Sequence, residues 1–167
     1  AGPVWSTALG KDLAVTASHD FTARVWPTTG STRCIGKLPH PNWVYSVSMQ
    51  GDVVATGCGD GNVRLWALGT LLCLRTIEHS GSGYGANPYA ATPVNTVVLR
   101  NGVLVSGGQD GYVKIWNMAA DTANAGRLIP PLIHGHAVVG LTMSHAGFIA
   151  TVVSSGPNRR LKVWRPR

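Results

Sequence analysis

The chain has 167 residues, of which 44% are hydrophobic and 13% charged, and its formal net charge is +7. This composition is typical of a globular domain and excludes a disordered chain. Its apolar runs are short and bounded by Gly, Asp or Asn, so none approaches the roughly 20 residues of a membrane helix, and we expect no membrane partner.

Apolar runs of four to six residues alternate with turn sequences such as GKD, QGD, RNG and QDG, which predicts strands joined by tight turns. The strands fall into four units. In chain order they are VWSTAL, LAVTAS, ARVW and TRCIGKL; VYSVSM, VVATGC, VRLW and LCLRTIE; VNTVVL, VLVSGG, VKIW and RLIPPLI; and VVGLTM, FIATVV and LKVW. The chain is therefore predicted to be all-β.

A constant distance links the opening valine of each unit to its tryptophan. The pairs Val4 to Trp26, Val44 to Trp66 and Val94 to Trp116 are each 22 residues apart, and Val139 to Trp164 is 25 apart. The longer turn SSGPNRR accounts for the excess in the fourth unit. A fixed period of this length predicts repeated four-stranded antiparallel sheets arranged radially, as in a β-propeller.

These units resemble the WD40 repeat family, and the resemblance covers nearly the whole chain. In that family His, Ser or Thr, Asp and Trp side chains form a hydrogen-bonded set inside each blade. The resemblance implies the following sets: Thr16, Asp20 and Trp26 in the first blade; His40, Thr56, Asp60 and Trp66 in the second; His79, Ser106, Asp110 and Trp116 in the third; and His136, Thr151 and Trp164 in the fourth. The family's Trp-Asp dipeptide is absent, because Pro27, Ala67, Asn117 and Arg165 follow the four tryptophans.

We expect one WD40-type propeller domain over residues 1–167, with blades at about 1–39, 40–78, 79–134 and 135–167. The last blade should lack its outer strand, because only three residues follow Trp164. Relatives commonly have about seven blades, and an open ring would expose apolar end faces. We therefore expect that further blades, a second copy or another chain completes the ring.

Catalytic and metal chemistry is not predicted. The pair His134 and His136 lacks a third ligand at useful spacing, and no CxxC occurs among Cys34, Cys58 and Cys73, which we expect to be buried free thiols. The GSGYG sequence at 81–85 is not followed by a helix with Lys-Ser/Thr, so it indicates an insertion between blades and not a phosphate loop. We expect no metal, no cofactor and no enzymatic activity.

The family resemblance also implies which residues surround the top of the central channel. They are Pro3, Trp5 and His19; Trp43, Tyr45 and Gly59; Pro93, Asn95 and Gln109; and Val138 and Gly140. From these we select the aromatic and amide side chains as partner-binding residues: Trp5, His19, Trp43, Tyr45, Asn95 and Gln109. Such a surface suits a protein or peptide, including a cationic side chain held by cation–π contact. Phosphopeptide binding is not expected, because none of these residues is arginine.

The leading interpretation is a non-enzymatic protein-interaction scaffold, similar to WD40 domains of ubiquitin-ligase substrate receptors and signalling scaffolds, in the cytoplasm or nucleus. The alternative is a ribonucleoprotein or nucleic-acid-associated component. It depends on a basic C-terminal edge, which holds five of the fourteen Lys and Arg residues: Arg159, Arg160, Lys162, Arg165 and Arg167. The simpler interpretation of this edge is a solvated strand and terminus.

Overall fold

A computed structural model describes residues 2–80, 91–118, 130–155 and 158–165. Most of the predicted insertion, the tip of the fourth unit's long turn and Arg167 lie outside the described residues. The part of the chain that is described has no helix long and apolar enough to cross a membrane.

Within these described ranges, fifteen strands form four separate antiparallel sheets. The strands are β1 Val4–Leu9, β2 Leu13–Ser18, β3 Thr22–Pro27, β4 Gly36–Pro39, β5 Val44–Gln50, β6 Val53–Cys58, β7 Asn62–Ala67, β8 Leu72–Glu78, β9 Val94–Arg100, β10 Val103–Gly108, β11 Tyr112–Asn117, β12 Leu132–Ile133, β13 Val138–Met143, β14 Ile149–Ser155 and β15 Asn158–Trp164. Neighbours in sequence are neighbours in each sheet, and the fourth sheet has three strands. The predicted fold class, with four blades of which the last has three strands among the described residues, is confirmed.

The turn between the second and third strands of a blade requires a left-handed backbone conformation. Gly61 and Gly111 occupy this position with φ of 82° and 80°. In the first blade the same position is Phe21, with φ of 66°. A side chain with a Cβ atom pays a steric cost in this region, whereas glycine does not. The first blade therefore has the most strained of these three turns.

Three apolar joints hold the four blades together. The first contains Val15 and Val25 of one blade and Val44 and Trp66 of the next. The second and third joints repeat this arrangement, between β6, β7, β8 and β9, β10, and between β10, β11 and β13, β14. Each blade thus presents one face to the blade before it and the opposite face to the blade after it. A single sheet cannot bury both faces, so the joints supply the core.

Hydroxyl groups add polar bonds across the joints. Ser6 Oγ accepts the backbone N–H of Val47 at 3.2 Å. Ser46 Oγ accepts that of Val97 at 3.1 Å, and Ser48 Oγ accepts that of Leu99 at 2.9 Å. The innermost strands of successive blades are therefore tied by hydrogen bonds as well as by apolar contact.

Small residues on the second strand allow this close approach. A Cβ atom added to Gly107 would lie 2.6 Å from Val138 Cγ1 and 2.9 Å from Thr96 Cγ2. At Gly57 it would lie 2.9 Å from the Val94 carbonyl oxygen. Contacts this short force the neighbouring blade to move, so glycine sets the spacing of the second and third joints.

We predict that Gly107→Ala lowers the free energy of unfolding by about 1–3 kcal/mol, because the added methyl group overpacks the third joint. Urea unfolding followed by tryptophan fluorescence measures this. Gly69→Ala is the matched control, since a Cβ atom there meets nothing within 4 Å. Equal unfolding free energies for the two variants would contradict a tightly packed joint.

Candidate functional site

A β-bulge near the start of each blade's first strand turns one side chain out of the sheet. In the first blade Val4 pairs with Ser18 and Ser6 with Ala17, so Trp5 is the extra residue. The same shift leaves Tyr45, Asn95 and Val139 unpaired in the other blades. Bulges of this kind re-aim a side chain. Four equivalent residues are thereby presented at the same end of the blades, which we call the top face.

Four aromatic rings from the first two blades meet on the top face and form an aromatic cluster of Trp5, His19, Trp43 and Tyr45. The His19 ring stacks on Trp43 with centroids 4.4 Å apart and planes 17° apart, and it lies 4.7 Å from Trp5. Tyr45 contacts His19 edge-on at 5.5 Å. His19 therefore lies against both indole rings.

The two indoles of the aromatic cluster are the exposed part of it. Trp5 is 55% exposed and Trp43 is 44% exposed. The Nε2 atom of His19, by contrast, is buried and has no hydrogen-bond partner. Burial also raises the pKa of Tyr45. The cluster thus combines a covered centre with two apolar surfaces that are open to a partner.

The two predicted amides lie together on the third blade. Asn95 Nδ2 donates to Gln109 Oε1 at 3.0 Å and to the Val138 carbonyl oxygen at 3.0 Å. Asn95 therefore bridges the third and fourth blades, while Gln109 is exposed. The six predicted side chains separate into an aromatic cluster on blades one and two and an amide pair on blade three.

In every blade the tryptophan of the third strand donates its indole N–H to a hydroxyl on the second strand. The donor–acceptor pairs are Trp26 and Thr16 at 3.0 Å, Trp66 and Thr56 at 3.0 Å, Trp116 and Ser106 at 3.0 Å, and Trp164 and Thr151 at 3.4 Å. A buried indole needs such an acceptor. The hydroxyl and indole positions inferred from the family resemblance thus meet in the structure.

The third blade contains the complete set of four side chains. His79 Nδ1 contacts Ser106 Oγ at 2.7 Å, and His79 Nε2 contacts Asp110 Oδ1 at 3.4 Å. Burial opposes ionisation of Asp110, but the hydrogen bond from His79 and those from its own turn outweigh it and lower the pKa of this carboxyl. Lys114 Nζ donates to the His79 carbonyl oxygen.

In the second blade the aspartate has a different partner from the one that the resemblance implied. His40 donates from Nδ1 to the Leu38 carbonyl oxygen at 2.9 Å and contacts Thr56 Oγ1 through Nε2 at 2.8 Å. Asp60 instead forms a two-pronged ion pair with Arg64, at 2.6 and 3.2 Å. In the first blade Arg24 pairs with Asp20 through Nη2 alone, while its Nε donates to Thr22 Oγ1 at 3.2 Å. The Asp-x-x-x-Arg spacing was the sequence signal for these pairs.

In the fourth blade the histidine next to the hydroxyl is His134, and the assignment of His136 was wrong. His134 Nε2 contacts Thr151 Oγ1 at 3.1 Å, whereas His136 is exposed. The His134 Nδ1 atom is buried without a hydrogen-bond partner. No turn aspartate accompanies Lys162, whose ammonium instead lies 5.9 Å from the centroid of the Trp164 ring.

The predicted start of the fourth blade's first strand was also wrong, by one residue. Val138 pairs with Val153 as Val44 pairs with Cys58, so Val138 is the opening valine and Val139 is the bulge residue. Four residues before Val138 stands His134, just as His40 precedes Val44. The top-face positions assigned to Val138 and Gly140 are corrected accordingly: Val138 is buried in the third joint, and Val139 is 38% exposed.

The expectation of three buried thiols is correct for Cys58 alone. Cys34 is half-buried and Cys73 is exposed on β8. Burial raises the pKa of the Cys58 thiol to about 12, which keeps it protonated and unreactive. Among the described residues, no three His, Cys, Asp or Glu side chains lie together in a way that could hold a metal ion.

The described residues of the predicted basic edge lie on β15, which pairs with β14 and is the edge strand of the fourth sheet, and just after it. Arg159, Arg160, Lys162 and Arg165 are all exposed. Because β15 is the edge of a three-stranded sheet, its open backbone groups could pair with another strand. Charged side chains on an edge strand discourage such pairing, which is a structural reason for the basic run.

Stacked antiparallel sheets of three or four strands, with a hydroxyl-to-indole bond in each, define a repeat protein of the β-propeller class. The family model "WD domain, G-beta repeat" matches residues 32–67 and 89–117, which lie in the second and third units. This match supports a WD40-repeat β-propeller family for the chain.

A WD-repeat relative agrees with this family, and two solved structures share the fold. An uncharacterized WD repeat-containing protein of Schizosaccharomyces pombe is 28% identical over 116 residues, which is 65% of this chain and 18% of that protein. The computationally designed Ika4 protein is 21% identical with a TM-score of 0.79, covering 98% of this chain and 91% of that one. The designed Ika8 protein is also 21% identical, with a TM-score of 0.76 and coverage of 98% and 46%. The chain spans at most about a quarter of the curated relatives compared.

We predict that His134→Ala lowers the free energy of unfolding by about 1–3 kcal/mol, because it leaves the buried Thr151 hydroxyl without its histidine partner. His136→Ala, the matched control two residues away, should change it by no more than about 0.5 kcal/mol because this side chain is exposed. Chemical unfolding of both variants measures the difference. A larger loss of unfolding free energy for His136→Ala would support His136 as the histidine beside Thr151.

We also predict that stability falls as the pH drops from about 6.5 to about 4. Burial, aided by the Arg64 charge, lowers the pKa of His40 to about 4, so the unfolded chain binds this proton at a higher pH than the folded chain does. His40 alone contributes a loss of about 3 kcal/mol across this window, and His134, whose pKa burial also lowers, adds to it. Asp60 has a lowered pKa and loses its contribution only below about 3.8, so its effect is separate.

The unfolding free energy measured at several pH values tests this. The His40→Ala variant should be less stable at pH 7 and should show a shallower decline between pH 6.5 and 4. His145→Ala, which changes an exposed histidine, should keep the wild-type slope. An unchanged slope in His40→Ala would show that other groups cause the decline.

Proposed function

We propose that the chain is a non-enzymatic interaction scaffold that binds an extended peptide of a partner protein on its top face. The observation that carries this proposal is the aromatic cluster, in which two indole rings stay about half exposed while they are held in place by a third ring. Exposed, rigid tryptophans are the side chains that most often dominate the binding energy of protein interfaces. WD40 repeats are typical of scaffolds, which supports the same assignment.

The chemistry of the aromatic cluster favours an apolar or proline side chain of the partner over a cationic one. His19 already lies against both Trp5 and Trp43, so the place between the indoles that a cation would take is filled. No carboxylate belongs to the cluster, and the net charge of +7 repels a basic peptide. The outer indole surfaces remain for apolar contact.

The amide pair gives the peptide a polar contact beside the aromatic cluster. Gln109 is exposed, and its side-chain oxygen is already bonded to Asn95, which leaves its amide N–H groups as donors for a peptide carbonyl. An apolar anchor flanked by a few hydrogen-bonding groups is the usual composition of a peptide site. We place this scaffold in the cytoplasm or the nucleus.

A second candidate function is association with nucleic acid through β15. Four exposed cations on one edge favour it, since phosphate contacts come from Arg and Lys. The same charges also discourage pairing of another strand with the edge strand β15, and this role needs no ligand. We therefore rank it second, and the test below separates the two.

The test begins with a peptide selected from a random phage-displayed library on the immobilised chain. We expect Trp5→Ala and Trp43→Ala each to weaken the selected peptide's binding at least tenfold in fluorescence anisotropy, whereas Phe148→Ala should change it less than twofold. Phe148 is 39% exposed but lies in the turn before β14, away from the aromatic cluster. Equal effects of the three variants on peptide binding would show that the peptide does not bind on the top face.

The same assay with a single-stranded RNA probe tests the second candidate. Binding that falls steeply with salt, survives the tryptophan changes and is lost in Arg159→Ala/Arg160→Ala would favour nucleic acid. Absence of RNA binding together with loss of peptide binding in the tryptophan variants would favour the scaffold.

A further inference from the structure

A pocket of about 320 Å³ lies at the end of the blades opposite to the top face. It is formed where β5, β9 and β13 end, so blades two, three and four all contribute to it. The top face, by contrast, lies where these strands begin. We call this cavity the bottom pocket, and its polar side chains are those of Ser48, Gln50, Arg100, Asn101 and Thr142.

Three hydrogen-bond acceptors in the bottom pocket already have a donor within the protein. Gln50 Oε1 accepts the backbone N–H of Gly102 at 3.3 Å, and Ser48 Oγ accepts that of Leu99 at 2.9 Å. The carbonyl oxygen of Met143, which also lines the pocket, accepts Nη1 of Arg100 at 3.0 Å. These bonds tie each blade to the next and occupy acceptors that a ligand would otherwise meet.

Most of the donors in the bottom pocket, in contrast, have no partner among the described residues. A guanidinium group has five N–H donors, and Arg100 uses one of them. The Gln50 amide nitrogen and the side chains of Asn101 and Thr142 make no hydrogen bond within the described part of the chain. The pocket therefore offers an excess of donors.

Arg100 is also the one charged residue among the described residues that line the bottom pocket. The nearest carboxylate in sequence, Asp52 in the turn after β5, is exposed and is not part of the lining. Arg100 is half-buried, and its bond to Met143 holds the guanidinium in place. A cation that is already ordered loses less conformational entropy when it binds a ligand.

We propose that the bottom pocket binds the carboxylate of an acidic segment of a partner protein. An excess of N–H and O–H donors around one guanidinium selects a negatively charged ligand that accepts hydrogen bonds, and a carboxylate can take two parallel bonds from arginine. One guanidinium balances the single charge of a carboxylate. A phosphate dianion would keep one charge unbalanced in the same pocket.

The charge of the whole chain favours a protein segment over a free small acid. A single ion pair that is open to solvent contributes little binding energy, so one isolated carboxylate binds weakly. A segment with several acidic residues also gains from the field of a chain with a net charge of +7. None of the pocket residues belongs to the aromatic cluster or to the amide pair, so this site is additional to the peptide site proposed above.

The first test is the fluorescence anisotropy of a labelled hexaglutamate peptide with the 167-residue chain at low salt. We expect binding that Arg100→Gln weakens at least tenfold. Arg33→Gln is the matched control, because it removes the same charge from an exposed position between β3 and β4 and should weaken binding less than twofold. Trp5→Ala should leave hexaglutamate binding unchanged, so failure here is distinct from failure of the top-face site.

A second variant tests the pocket without a risk to folding. Asn101 has φ of 52°, a conformation that glycine adopts more readily, so Asn101→Gly should keep the fold while it removes an amide donor. We expect it to weaken hexaglutamate binding about threefold. Urea unfolding of both pocket variants checks that the fold is retained.

Several results would overturn the proposal. Absence of hexaglutamate binding, or no effect of Asn101→Gly, would do so. Equal weakening by Arg100→Gln and Arg33→Gln would show that only the overall charge attracts the peptide. Loss of binding in Arg159→Ala/Arg160→Ala but not in Arg100→Gln would move the site to β15. Displacement of the peptide by inorganic phosphate at a lower concentration than by acetate would identify phosphate, and not a carboxylate, as the ligand.

Discussion

The hydrogen bond from an indole N–H to a second-strand hydroxyl is the interaction on which the rest of this structure depends. The hydroxyl residues Thr56, Ser106 and Thr151 are fully buried, and an unpaired hydroxyl or indole at this depth would be costly. The hydrogen bond between the two groups allows the large tryptophan ring to lie on the face of the blade. Trp66, Trp116 and Trp164 then pack in the joints with the preceding blades. A polar bond inside each blade thus makes the apolar contact between blades possible.

The partner of the turn aspartate, which lies near this bond, differs from blade to blade. Blades one and two hold the turn aspartate with an arginine, and blade three holds it with a histidine. The fourth blade has neither, and its His134 keeps one buried nitrogen without a partner. The set of side chains around the hydroxyl-to-indole bond is therefore least complete in the fourth blade.

Much of the fold could be predicted from the sequence, because alternating apolar residues and turn glycines are local signals. The segments VWSTAL and LAVTAS coincide with β1 and β2 residue for residue. The register of the fourth blade could not be read in the same way, since two valines stand side by side and only the bulge decides between them. Four residues before Val139 stands Gly135, so this choice hid the match of His134, and the neighbouring His136 was assigned instead.

The partners of the aspartates and the packing of the top face were less accessible to sequence reasoning. Asp60 and Asp110 stand at the same position of the repeat, yet Asp60 pairs with an arginine and Asp110 with a histidine. The residue two places before the tryptophan makes the difference, because Arg64 reaches the aspartate of its own turn, whereas Lys114 bonds a backbone carbonyl. That His19 would fill the space between two indoles follows from three-dimensional packing and has no signal in the spacing.

The β-bulge places two residues with different roles next to each other at the top of each blade. Its first residue, the opening valine, packs in a joint, and its next residue points to the top face. Val4 and Trp5 are such a pair, but Val4 has no blade against it and Trp5 belongs to the aromatic cluster. The packing of a joint and the presentation of a top-face side chain therefore depend on adjacent residues of one strand.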